Sequence, residues 1–111
     1  MASFRLILTV GVIRAPIPAP DVLPTVANLV GTYATVEHRD VAISRGKPQM
    51  IIRFTADDAE QARRVARSVA PELEELVEVS DLALVALHRG RPVPLPLTGL
   101  RTNNGDGMSE V

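Results

Sequence analysis

Glu37, His38, Arg39 and Asp40 stand in a row in this chain. A histidine titrates near neutral pH, and beside a carboxylate it can move a proton or hold a metal ion. His38 and Asp40 are two residues apart, a spacing that puts both side chains on one face of a strand. They are the candidate acid–base pair. A metal centre needs at least a third ligand, and the neighbouring sequence offers none at a supporting spacing, so no metal is expected. The same four residues also fit the charged entry to an edge strand, where charge discourages pairing with stray chains. His88 closes a distant strand and is not expected to reach His38 within one chain.

Other chemistry is sparse. The chain has no cysteine, which removes thiolate nucleophiles, disulfides, Cys-based metal sites and the paired thiols of copper carriers. Gly11 and Gly31 are isolated, so no glycine-rich phosphate loop is formed. Neither G-x-S-x-G nor H-E-x-x-H occurs. No cofactor is expected. Arg63, Arg64 and Arg67 read as a solvated helix face balanced by Asp57, Asp58 and Glu60. Glu72, Glu74 and Glu75 read as a solvated acidic turn. The Pro-x-Pro-x-Pro runs at 16–20 and 92–96 read as stiff connectors.

The stretch Arg89-Gly90-Arg91-Pro92 matches the core of a minor-groove DNA-binding hook. It follows a strong strand pattern, however, and repeats Arg45-Gly46-Lys47-Pro48 at a shift of 44 residues. Both copies therefore read as hairpin turns. A net charge of −1 offers no bulk attraction for nucleic acid. The strands "FRLILTVGV" and "QMIIRFT" also lack the sheet aromatics on which RNA bases stack. Nucleic acid is not an expected partner.

The elements that carry these residues follow from periodicity. The chain has 111 residues, which favours one domain, expected over 1–97, followed by a flexible tail over 98–111 with no periodicity. Its apolar residues are mostly branched aliphatics, with two Phe, one Tyr and no Trp. Arginine supplies eleven of the twelve basic residues. With the many Ala, Val and Pro, that bias points to a GC-rich bacterial coding sequence.

Phe4, Leu6, Leu8, Val10 and Val12 alternate, giving a strand over 4–13. The beginning of the chain resembles a short signal peptide, but Arg14, Thr9 and Gly11 interrupt it, so it is read as strand and the expected compartment is the cytoplasm. No apolar run reaches the ~20 residues that span a bilayer, and no membrane association is expected. Asp21 is the expected cap of a helix over 22–34, with Pro24 in its first turn and Val22, Val26, Leu29, Val30 and Tyr33 on its apolar face. Gly31 weakens that helix and is expected to let a strand approach closely. A strand over 37–45, a turn and the strand "MIIRFT" follow. Thr55 with Asp58 resembles a capping box, opening a helix with Ala59, Ala62, Ala66, Val69 and Leu73 on one stripe. Pro71 is expected to kink this helix or to begin an extra turn. The last long strand covers 77–88.

Strand, helix, strand, strand, helix, strand is the order of the ferredoxin-like split βαβ fold. The expectation is a four-stranded antiparallel sheet in the order 4-1-3-2, with two helices on one face and a possible extra edge strand at 92–97. The other face would then carry Ile7, Ile13 and Ile51. One side of the last strand would join them; that strand offers Leu82, Leu84 and Ala86 on one side and Ala83, Val85 and Leu87 on the other, both apolar. A broad apolar face is seldom left in water. Ile7, Ile13, Ile51, Val85 and Leu87 are the candidate interface residues.

The expected function is therefore a small non-catalytic assembly module that pairs with itself, or with a protein partner, through this face. One alternative is a cofactor-free enzyme of the dimeric cyclase or oxygenase type, acting on an apolar substrate with His38 and Asp40. Another is a small-molecule-sensing regulatory domain with its effector near Gly11 or Gly31.

Overall fold

The computed structural model describes residues 1–97; the expected tail at 98–111 lies outside the described residues. Strand β1 (Ala2–Ile13) is central, its Phe4, Leu6, Leu8 and Val10 alternating onto one buried face while Ser3, Arg5, Ile7 and Thr9 fall on the other. Helix α1 (Ala19–Gly31), strands β2 (Thr35–Ser44) and β3 (Lys47–Ala56), helix α2 (Ala59–Leu76), and strands β4 (Val77–His88) and β5 (Arg91–Leu95) follow. The chain is α+β, with two helices and a five-stranded antiparallel sheet in the order β2-β3-β1-β4-β5.

The fifth strand extends the expected four. Its cause is the repeated turn. Arg45 and Gly46 have φ of 54° and 78°, and Arg89 and Gly90 have the same pair of values. Positive φ at both central residues is the type I′ turn, whose twist matches that of the strands it joins. Ser44 pairs with Lys47 across the first turn and His88 with Arg91 across the second. The "RGRP" stretch is thus a hairpin turn that folds β5 back onto β4.

Both helices cover the same sheet face, α1 over β2 and β3, α2 over β4, β3 and β1. Phe4, Leu6, Leu8 and Val10 of β1 are buried there, with Met50, Ile52, Phe54 and Ala56 of β3. Phe4 and Phe54 stand opposite each other in register, their ring centroids 5.9 Å apart. Val22, Val26 and Val30 of α1 and Ala62, Val69 and Leu73 of α2 close the core from above. No helix among the described residues is long and apolar enough to cross a membrane.

Both helix starts differ from expectation. Pro18, in extended conformation, precedes α1, which begins at Ala19. Pro20 therefore occupies the first turn, where its missing N–H costs little. Asp21 lies inside that turn and donates its N–H to the Pro18 carbonyl. Pro24 falls in the second turn, and Tyr33 lies beyond the helix end. Thr55 does not cap α2, because it is still in the sheet, paired with Ser3. Asp58 caps it instead, accepting the Gln61 N–H at 2.8 Å, while the Gln61 side chain accepts the Asp57 N–H. That reciprocal arrangement is a capping-box variant three residues beyond the expected one, its return bond going to the residue before the cap. Pro71 does not interrupt α2, which continues to Leu76.

Candidate functional site

The sheet face opposite the helices is built in rows by the strand register. Across the middle run Asp40, Ile51, Ile7 and Ala83, from β2 to β4. One step toward the start of β1 lie His38, Arg53, Arg5, Val85 and Pro94. One step the other way lie Ala42, Gln49, Thr9 and Asp81. Leu87 stands opposite Pro92 near the β4–β5 turn. Ile7, Ile51, Val85 and Leu87 are each half-buried by their neighbours.

Ile13 does not join this patch. Irregularities between Thr9 and Ile13 put Ile13 opposite Val77, whose side chain is buried under the helices. An odd extra residue in one strand turns every later side chain to the other face. Gly11 sits in this irregular stretch. The Glu78 carboxylate lies against it, where a Cβ would clash with Oε1, and accepts the Val12 N–H at 3.3 Å.

Sequence reasoning did not anticipate a pair of arginines on the open face. Arg5 stands directly opposite Arg53. Alternation with Leu6 and Ile52 placed each on this side of its own strand, but their meeting depends on the β1–β3 register. Like charges directly opposite repel. Glu37 relieves this: its carboxylate accepts from Arg53 Nε at 3.2 Å and from Ser3 Oγ at 2.9 Å. It can do so because β2 has a bulge, with Val36 opposite Phe54 and His38 already opposite Arg53. Glu37 is the extra residue. Further along, Gln49 Nε2 donates to Thr9 Oγ1 at 3.2 Å.

His38 and Asp40 lie on β2 at the exposed edge of the sheet. His38 lines a shallow depression of about 430 Å³ with Val36, Glu37 and Arg39, open to solvent, and Asp40 is not among its walls. Asp40 Oδ1 accepts the Val41 N–H at 2.8 Å. The register explains that bond. Residues flanking a two-residue turn exchange both backbone bonds, so Ser44, Ala42 and Asp40 point their amides at β3. Val41 points its own amide at the free edge, and Asp40 covers it. The expected acid–base pair is thus not brought into one enclosed site. Among the described residues no group of three His, Asp or Glu is placed to hold a metal ion.

The other edge is closed differently. By the same register, β5 directs the backbone nitrogens of Pro92 and Pro94 outward. Proline has no N–H there, so this edge presents few donors to a foreign strand.

Gly31 and the lone tyrosine border a second region. Gly31 lines a hollow of about 320 Å³ with Met1, Tyr33, Ala34, Thr35, Thr55, Asp57 and Gln61. A Cβ on Gly31 would meet only Val36, at 3.9 Å, an ordinary contact. It is not the close-approach glycine expected. The Tyr33 hydroxyl donates to the Glu72 carboxylate, and that bond pushes the Tyr33 pKa above its ordinary value.

No protein-family model, no curated protein and no solved structure matches the chain.

Proposed function

We propose that the chain is a small non-catalytic assembly module that forms a homodimer through the open face of its sheet. The observation that carries this reading is the contiguous patch of Ile7, Ile51, Ala83, Val85 and Leu87 on a face that no described element covers. These side chains are already half-buried, so covering the rest of each contributes on the order of 1 kcal/mol. Several together offset much of the entropy lost on pairing. The order β2-β3-β1-β4, with a helix linking β1 to β2 and another linking β3 to β4, supports a ferredoxin-like split βαβ framework. In it β5 is an addition on the β4 side.

Sheet-to-sheet dimers also frame the cofactor-free enzyme alternative. Its acid–base pair would stand at the solvent edge, with Asp40 committed to a backbone amide. The assembly reading asks nothing of these two residues and is preferred. Light scattering over a dilution series tests it: a dimer mass at high concentration is expected, falling toward the monomer mass on dilution. A monomer mass at every concentration overturns it.

A further inference from the structure

The charges on the open face are sorted by position. Arg5 and Arg53 lie two residues to one side of the Ile7–Ile51 pair. Asp81, beside Thr9, lies two residues to the other side. Among the described residues neither Arg5 nor Asp81 has an ion-pair partner, whereas Arg53 has Glu37. Ile7 is midway between the Arg5 and Thr9 positions of its own strand.

Two sheets that pack face to face with strands aligned to within about 30° can be related by a twofold axis along the strands or across them. An axis along β1 would set the arginine row against the partner's arginine row. That juxtaposes four guanidinium groups, with only the two Glu37 carboxylates between them. An axis across the strands, through Ile7 and Ile51, sets each row against its opposite number. Arg5 then lies over the partner's Thr9, one strand spacing of about 4.8 Å from the partner's Asp81, within reach of an arginine side chain. Arg53 lies over the partner's Gln49. Lys47, at the far end of β3, comes over the partner's Thr55, on the row next to Glu37. Asp40 falls on the axial row, but at the outer edge, with its carboxylate held by the Val41 amide.

We propose that the occupant of the open face is a second copy of this chain, packed with its strands running in the opposite sense, and that Arg5 of each copy pairs with the partner's Asp81. This rests on the assembly reading above and fixes its geometry. The size of the face is compatible. Five strands at about 4.8 Å and eight paired residues at about 3.4 Å give a face of roughly 24 by 27 Å, on the order of 650 Å². That is close to the ~800 Å² per partner of a standard interface.

Charge reversal tests the geometry separately from the assembly. Arg5→Glu and Asp81→Arg are each expected to raise the dimer dissociation constant about tenfold or more, since each places like charges together twice per dimer. The combined variant is expected to return to within about threefold of the original, because the swapped charges attract again. Circular dichroism checks that each variant folds. If either reversal does not fold, Arg5→Gln and Asp81→Asn carry the test, each with a weaker dimer expected. Single variants that dimerise as tightly as the original, while Ile51→Lys abolishes dimerisation, overturn the Arg5–Asp81 geometry and leave the assembly reading standing. An original chain that is monomeric throughout overturns both.

Discussion

Ile7 of β1 stands directly opposite Ile51 of β3 on the sheet face that no helix covers, with Arg5 opposite Arg53 on one side and Thr9 opposite Gln49 on the other. The apolar pair thus lies between a cationic row and an amide–hydroxyl row. The assembly reading grows from that relationship. Four other consequences of the structure are open to direct measurement.

Tyr33 is the single tyrosine, and the chain has no Trp, so phenol ionisation can be followed by ultraviolet absorbance without interference. Its bond to Glu72 holds the pKa above the usual value of about 10. A group with a raised folded pKa contributes stability below its unfolded pKa and loses that contribution as pH rises through the folded one. Glu72→Gln is expected to move the Tyr33 titration back toward the ordinary value. An unchanged titration would show that the bond does not form in solution.

Gly31 and Gly46 predict opposite outcomes for the same substitution. Gly31 ends a helix with room for a Cβ, so Gly31→Ala is expected to stabilise by about 0.5–1 kcal/mol. Gly46 has φ of +78°, and Gly46→Ala is expected to cost about 1 kcal/mol or more although nothing crowds the position. Thermal denaturation checks both, with about 1 kcal/mol shifting the midpoint by roughly 4–8 °C in a domain of this size.

Leu6 is fully buried between the sheet and the helices. Leu6→Ala is expected to destabilise by about 2–5 kcal/mol, measured by urea unfolding. His38 is exposed at the β2 edge, and His38→Ala is expected to stay within about 0.5 kcal/mol of the original.

Pro92 and Pro94 deny outward N–H groups to the β5 edge. Replacing both with valine restores those donors on a strand of high β propensity. The variant is expected to form larger aggregates on storage, seen by light scattering. Equal solution behaviour of variant and original would mean that the prolines do not protect this edge.

Much of this fold was legible in local pattern. The alternation of Phe4, Leu6 and Leu8, and of Ile52 and Phe54, placed two strands and their buried faces correctly. The two Arg-Gly steps marked both hairpin turns, because φ above zero is a demand that a residue type can announce. What escaped was set by pairing between distant segments. No residue type at Glu37 advertises the bulge that brings it to Arg53. Nothing near Ile13 shows that irregular pairing with β4 turns it away from Ile7. Asp21 looked like a cap as good as any, yet the chain entered its helix three residues earlier, where Pro18 and Pro20 already hold the backbone. At the candidate site, spacing alone put His38 and Asp40 on one face. Only the register reveals that Val41 turns its amide to the free edge and takes the Asp40 carboxylate.

Sedimentation of the original chain beside Ile51→Lys and Val41→Lys tests the account most directly. Val41 is 47% exposed, but it stands opposite the buried Met50 and so lies on the helix-side face of the sheet, on the edge strand β2. The expected result is a dimer for the original chain and for Val41→Lys, and a folded monomer for Ile51→Lys. A folded monomer in all three, or a dimer that survives a lysine at Ile51, would contradict it.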